Sequence, residues 1–367
     1  MKPLLKWPGG KTRELRRILT LIPPHRLLVE PFVGGGALFF HLEPEAALLN
    51  DAEPELMGFY AAVRNGDAGF RDALLRLAGD RDEIAARARR RGAAFAEYVC
   101  AEREGRRGDA SALARGAGDA ALSVPAEDLL IATVADKARR LLRLEARHGK
   151  VFAPSELPVH FETALQGGLY TAVRDRFGPA GGVSGLARFH FLRELCYGSM
   201  FRYSSTGKFN IPYGGISYNR VSLRRKAERL LSGEVRALLA RAELSCADFA
   251  GFLEAVRPRL GPDAFVFLDP PYDTEFSDYA NRSFGRTDHE RLAWIVAELP
   301  CPALLVIRET EFVRGLYEAV GRERARRGRP FTLGCYGKTY GYNVRGRNDR
   351  RARHLLVTNY EAARRAL

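Results

Sequence analysis

Residues 27–42 read LLVEPFVGGGALFFHL, and this stretch constrains the fold more than any other. Its apolar opening, Leu27 to Val33, reads as a buried strand. It runs straight into Gly34-Gly35-Gly36 and then the helical stretch Ala37 to Leu42. Strand, glycine turn and helix in succession form the nucleotide-cradling unit of doubly wound sheets. The glycines let the backbone approach a ligand, and the helix N-terminus favours a carboxylate or phosphate. A glycine turn alone is weak evidence. It gains weight from the next strand, Ala46 to Leu49, which ends in Asn50-Asp51. An acid at the tip of the second strand is where a ribose diol is held. Together the two features favour an adenosine-type cofactor.

The same organisation returns late in the chain. Ala242 to Ser245 reads as a strand ending at Cys246-Ala247-Asp248-Phe249, with a helix to about Val256. Residues 264–268 are expected to form the central strand, followed by a helix N-capped by Thr287 and running through Leu299. Pro302 to Ile307 and His354 to Asn359 complete the sheet, with a helix from Phe312 to Val320. The basic, glycine-punctuated residues 321–353, with Tyr336, Tyr340 and Tyr342, suit a positively charged rim over an active site.

The central strand opens into Asp269-Pro270-Pro271-Tyr272. Two prolines in succession can neither extend a sheet nor start an ordinary helix. They fix the backbone so that the Asp269 carboxylate and the Pro270 carbonyl can point the same way, with Tyr272 supplying a flat face beside them. Such a pocket suits a planar ring with an exocyclic amino group. Its two hydrogens are accepted by carboxylate and carbonyl, and the ring stacks on tyrosine. The plainer reading is a strand-terminating turn with an incidental acid.

Between these halves the character changes. Residues 80 to about 150 are rich in Ala, Arg, Gly and Glu and read as an inserted helical segment. Its basic runs, Arg87 to Arg91 and Arg106-Arg107, are a solvated face before they are a phosphate-contacting surface. Residues 190–215, HFLRELCYGSMFRYSSTGKFNIPYGG, suit a β-hairpin or loop that sets aromatic and basic side chains against bases. Phe189, Phe191 and Phe209 are better read as core; Arg202 and Lys208, among Ser and Thr, as nucleic-acid contacts.

Composition agrees with a two-domain protein acting on a polyanion. The 367 residues are 46% hydrophobic, and Lys+Arg 58 against Asp+Glu 44 leaves a net charge of +14. An arginine-rich genome would give the same excess. Five scattered cysteines without a CxxC pair argue against a disulfide framework or zinc knuckle. Without a signal-peptide core or an apolar run of membrane-spanning length, the expectation is a cytoplasmic protein with no membrane association.

The pieces LKWPGGK, VEPFVGGG, the Asp51 tip, RYSSTGKFNIPYGG, ADF and DPPY stand in the order of the Dam-like (D12-class) DNA N6-adenine methyltransferases, and the chain resembles that family over roughly residues 1–65 and 190–360. The resemblance implies an α/β fold: a Rossmann-like class I methyltransferase sheet with helices on both faces, plus an inserted, mainly helical target-recognition domain with a β-hairpin. It assigns residues 1–60 and 236–367 to the S-adenosylmethionine-binding catalytic domain. Residues 61–235 become the target-recognition domain, including the basic insertion at about 80–165. By the resemblance, Trp7, Lys11, Asp51 and Asp269 contact the cofactor, and Phe32, Gly34 and Gly36 line its methionine end. Asp248 and Phe249 hold its adenine. Arg202 matches an arginine that reads a guanine, Tyr197 and Met200 fall where side chains wedge into or touch the base stack, and Pro212 where a thymine methyl is contacted. Gly198 and Thr206 depart from the pattern, the first replacing a polar residue found in some members, the second a common basic one.

The activity so implied is transfer of a methyl group from S-adenosyl-L-methionine to N6 of an adenine flipped out of duplex DNA, with no metal. Asp269, Pro270 and Tyr272 are then the catalytic set. Duplex DNA is the expected partner, with a cognate restriction endonuclease or defence system as another. The alternatives are the same fold acting on cytosine N4, an RNA adenine or a protein amide, and a non-catalytic DNA-binding regulator. A Ser or Asn at position 269 would have favoured cytosine or amide chemistry, and the intact Asp269, Tyr272 and glycine turn argue against the regulator.

Overall fold

The computed structural model describes residues 1–106, 108–115, 119–178, 181–199, 202–204, 207–273, 284–339 and 351–361. Among them the strands are β1 (Leu27–Glu30), β2 (Ala46–Asn50), β3 (Ala242–Ser245), β4 (Ala264–Leu268), β5 (Ala303–Arg308), β6 (Thr332–Thr339) and β7 (Arg351–Thr358). They form one seven-stranded sheet in the order β3-β2-β1-β4-β5-β7-β6. β3, β2, β1, β4 and β5 pair in parallel, and β7 is antiparallel to both β5 and β6.

Period-2 alternation explains how one sheet serves two cores. Val29, Leu48, Val266, Leu268, Leu305, Ile307, Leu355 and Val357 face one way. They pack with Phe252 and Leu253 of the helix Phe249–Val256, Leu292 and Val296 of Arg286–Glu298, and Val313, Tyr317 and Val320 of Glu311–Arg326. The residues between them, Leu28, Leu49, Phe265, Phe267, Leu304, Val306 and Leu356, are equally buried on the opposite face. This is the class I methyltransferase sheet the sequence led us to expect, with helices on both sides.

The order reverses between β1 and β4: the chain runs from β1 outward to β2 and β3 on one side, and from β4 outward to β5 on the other. In open α/β sheets a ligand binds at such a switch point, beyond the carboxyl ends of the strands. The loops leaving those ends are Pro31–Gly36 and Asp269–Tyr272. Topology alone therefore brings together the glycine turn and the Asp-Pro-Pro-Tyr turn.

The chain divides into two compact units, residues 1–65 with 233–367, and residues 66–232. The first holds the sheet. The second is built on a long helix, Ala68–Arg103, N-capped by Asp67, whose side chain accepts from Phe70 N at 2.7 Å. Against it pack Leu157–Asp175 and Gly182–Leu195, while Glu127–His148 packs on Leu157–Asp175. The helix crosses residue 80 without a break, so the basic segment is part of the unit's frame. Phe95 and Phe161 stack at 4.9 Å in its core, where Phe189, Phe191 and Phe209 are also buried.

Several expectations are corrected. Arg87 is not on a solvated face: it is 2% exposed, bonded to Glu83 at 3.1 Å and to the Ala120 carbonyl at 2.6 Å, with Asp119 at 3.3 Å. Arg90 and Arg91 also reach Asp119, each at 2.7 Å. A buried guanidinium needs such partners, so Arg87 is spent internally, while Arg89 and Arg90 stay exposed. Residues 190–215, expected as a β-hairpin or loop, fold back antiparallel after a helical start, with no regular strand among the described residues. The helix continues to Leu195, and the return is held by isolated antiparallel bridges, Cys196 with Tyr213 and Tyr203 with Phe209. Gly198, at φ 63°, turns the chain out of the helical path, a conformation that suits glycine better than a larger residue. The helix expected to start at Thr287 is capped instead at Gly285, whose N–H donates to Asp288 at 3.0 Å. Of residues 321–353, expected as a basic rim, the helix runs to Arg326 and β6 follows, while residues 340–350, with Tyr340 and Tyr342, lie outside the described residues.

Candidate active site

Lys11 is the unexpected centre of the site. It follows the Trp7-Pro8-Gly9-Gly10 turn and is 1% exposed. A buried ammonium must be paired and hydrogen-bonded to be tolerated. Its Nζ forms a very short ion pair with Asp269 Oδ1, donates to the Tyr272 hydroxyl at 2.9 Å and to the Gly9 carbonyl at 3.3 Å. The same nitrogen lies 5.2 Å from the Tyr272 ring centre. The lysine thus ties the N-terminal turn to two of the three expected catalytic residues. Pro270, between them, is buried.

Asp269 is held above the ordinary aspartate range, first because burial penalises its charge and then because Glu14 is near; Lys11 and Lys338 oppose the shift. Its ionised form, the better acceptor for an amino group, is favoured above that raised value.

The glycine turn is shaped by its neighbours. Gly34 (φ 47°) and Gly36 (φ 65°) occupy the left-handed region. The Trp7 indole lies over Gly34, whose carbonyl accepts from the Tyr60 hydroxyl at 2.8 Å. Gly34 N donates to Asp51 Oδ2 at 3.0 Å, and Glu53 N to Asp51 Oδ1 at 3.1 Å. These bonds orient the Asp51 carboxylate at the tip of β2. Trp7, Gly34, Gly36 and Asp51 therefore form one cradle.

Phe32, half-buried, lies 5.4 Å from Phe249 and 5.8 Å from Phe284, making an aromatic wall along the next stretch. Phe249 is 4% exposed, so most of its ring is committed to the core. Asp248 caps the helix Phe249–Val256, accepting from Ala250 N at 3.1 Å, and pairs with Arg291 at 3.0 Å.

Two residues escaped the sequence reading. Asn50, fully buried, donates to the carbonyls of Pro31 and Ala247 and accepts from Ala247 N, all at 3.0 Å. One amide thereby staples the loops after β1 and β3 across the end of β2. The signal was its place beside Asp51, but which neighbour points inward is a matter of register. Glu30, the last residue of β1, is 2% exposed, and burial pushes its carboxyl up to about 8. An acid inside an otherwise apolar strand was the visible hint.

The expected DNA-contacting residues belong to the second unit. Arg202, Lys208 and Pro212 are exposed, and Tyr197 is 40% exposed. Arg202 Nε donates to Asn210 Oδ1 at 3.3 Å, Ser204 N to the Lys208 carbonyl at 2.8 Å, and Tyr197 N to the Pro212 carbonyl at 2.9 Å. These bonds hold the arms of one exposed loop. Met200 and Thr206 lie outside the described residues. Among the described residues, no group of three His, Cys, Asp or Glu is arranged to hold a metal ion, and no helix is long and apolar enough to cross a membrane.

Comparison with known proteins agrees with the geometry. The family described as D12 class N6 adenine-specific DNA methyltransferase matches residues 7–88 and 157–327. The type II methyltransferase M.CviBI of Paramecium bursaria Chlorella virus NC1A is 26% identical over 98% of this chain and 100% of its own length. The type II methyltransferase M.MjaIII of Methanocaldococcus jannaschii is 24% identical over 80% and 78%. The DNA adenine methylase of Haemophilus influenzae is 23% identical over 89% and 86%.

Proposed function

Because this chain belongs to the D12 class of N6 adenine-specific DNA methyltransferases, we propose that it methylates N6 of an adenine flipped out of duplex DNA, with S-adenosyl-L-methionine as donor. The observation that carries the reading is the cluster of Lys11, Asp269 and Tyr272 at the switch point of the sheet, beside the glycine cradle.

The cradle fits such a donor: glycines in the left-handed region beneath Trp7, and an acid at the tip of β2. Trp7, Phe32, Gly34, Gly36, Asp51, Asp248 and Phe249 would hold it, with Lys11 bracing the pocket floor. When bound, the donor supplies an electrophilic methyl group on a sulfonium. The chain's own part is orientation and electrostatics. The adenine amino nitrogen is a poor nucleophile because its lone pair is delocalised into the ring. Accepting its two N–H bonds at Asp269 and the Pro270 carbonyl favours localisation of that pair. Transfer would break the donor's carbon–sulfur bond, with its electron pair staying on sulfur, and N6 would shed one proton, for which the Asp269 carboxylate is the adjacent acceptor. A base within a duplex cannot reach such a pocket, so the adenine is unstacked and laid on Tyr272.

Recognition falls to residues 61–235, with Arg202, Lys208, Tyr197, Met200 and Pro212 meeting the DNA. The relatives named type II methyltransferases suggest a restriction endonuclease or other defence component reading the same site. Such work on cellular DNA places the protein in the cytoplasm. Methylation-sensitive sequencing of DNA from a host expressing the chain tests the proposal. Modified adenine at one recurring short sequence supports it, and unmodified adenines throughout oppose it.

Two substitutions separate donor binding from base reading. Asp51→Ala removes the acceptor for the ribose and the brace on Gly34. The donor KM should rise about ten- to a hundredfold, the scale of losing hydrogen bonds to a charged group, while DNA affinity holds. Equal losses in donor and DNA titrations would contradict that role. Arg202→Ala should relax specificity at one base pair, since a bidentate arginine–guanine contact is worth about 1–3 kcal/mol of discrimination. Duplexes varied one position at a time provide the measurement. Uniform slowing on every duplex would mean that Arg202 only grips phosphate or braces the loop through Asn210.

A further inference from the structure

Glu14 lies one turn beyond Lys11, its N–H donating to the Lys11 carbonyl at 2.8 Å. It is buried, and its carboxylate is held at three points by the outer antiparallel strands. The Tyr336 hydroxyl donates to Oε2 in a very short bond, His354 Nδ1 lies 3.0 Å from the same oxygen, and Lys338 Nζ binds Oε1. Tyr336 and His354 are register partners on β6 and β7, so pairing of the strands builds the grip. The His354 ring also stands edge-on to Tyr272, 5.6 Å between centres. The grip therefore touches the pocket from two directions, through the peptide that carries Lys11 and through the tyrosine face.

We propose that Glu14 is a positioning residue for the adenine pocket, gripped by β6 and β7 so that Lys11 is presented to Asp269 and Tyr272. The assignment rests on the reading of Asp269 as amino-group acceptor, and it adds a device that the motifs do not contain. Burial works to raise the Glu14 carboxyl, but the bonds from His354, Lys338 and Tyr336 outweigh it and hold it at about 2, so Glu14 stays charged. Of the groups facing Asp269, Glu30 is kept largely neutral at pH 7 by burial, and burial holds the Tyr336 phenol well above its usual range. Burial lowers His354, against the pull of Glu14. The charges left to set Asp269 are Lys11 and Lys338, which lower it, and Glu14, which raises it.

Opposite signs give a test. In the full chain labelled with carboxyl-¹³C aspartate, the Asp269 resonance, assigned by its loss in Asp269→Asn, is titrated by NMR. The midpoint should move to lower pH in Glu14→Gln and to higher pH in Lys338→Met. Glu14→Ala, which also releases the grip, should lower kcat roughly tenfold with little change in donor KM, the pattern of misplacement at the reacting centre. Midpoints that coincide with the parent protein, or that move the same way in both variants, would overturn the assignment. Should Glu14→Gln fail to unfold cooperatively, Glu14→Asp, which keeps the charge but shortens its reach to Tyr336 and His354, decides: a lowered kcat with donor KM unchanged supports the assignment, and parental kcat overturns it. Failure of the parent protein to methylate adenine sinks the proposed function instead, and the titration still decides the placement of Glu14.

Discussion

Asp269→Ala is expected to cut methyl transfer about a thousandfold or more, the upper end of what one preorganised polar group contributes to a reacting centre. The variant loses the proposed carboxylate acceptor for the amino group and leaves Lys11, 1% exposed, without its anionic partner. Breaking a buried pair by removing one member costs about 3–5 kcal/mol, so thermal unfolding should also move down. Asp269→Asn keeps the shape and separates the two effects: stability should recover further than activity. The acid side of the pH profile carries the same information. Asp269 sits above the ordinary aspartate range, through burial and the proximity of Glu14, and in the proposed mechanism its ionised form accepts the amino group. The rate should therefore fall as pH drops through a value higher than that of a solvent-exposed aspartate. Near-parental kcat in Asp269→Ala would end the account of the pocket.

Gly34→Ala should be nearly as damaging, through the donor. At φ 47° an added Cβ would lie 2.8 Å from Trp7 Cδ1 and 3.0 Å from its Nε1. The left-handed conformation alone costs a non-glycine residue about 1–2 kcal/mol. That strain is present with or without donor and lowers stability; displacing the indole distorts the cradle itself, and a loss of about 3 kcal/mol there weakens binding about a hundredfold. Titration of the donor against intrinsic tryptophan fluorescence measures it, since Trp7 lies on the cradle. An unchanged dissociation constant would show that the turn tolerates a side chain and does not hold the ligand.

The sheet was legible because its signals are local. The apolar run of β1, the glycines after it and the prolines after β4 each dictate backbone geometry within a few residues. Parallel pairing and the switch point then follow from the order of the pieces. The supports of the site were less visible because they are non-local. Lys11 meets Asp269 across 258 positions of sequence and Glu14 meets Lys338 across 324, and no periodicity reports such a meeting. Asn50 illustrates a second limit. Strand register decides whether it or Asp51 turns inward, and a one-residue slip would exchange their roles. Arg87 shows a third: a run of arginines looks solvated until the acids that bury one of them, Glu83, Asp119 and Glu127, are brought beside it by the fold.

The most direct measurement offers the purified protein duplex DNA and S-adenosyl-L-methionine carrying a labelled methyl group, digests the DNA to nucleosides and separates them. Label is expected in N6-methyldeoxyadenosine, abolished by Asp269→Ala. Label in N4-methylcytosine, or in RNA or protein offered alongside, or duplex bound without any transfer, would contradict the proposed function.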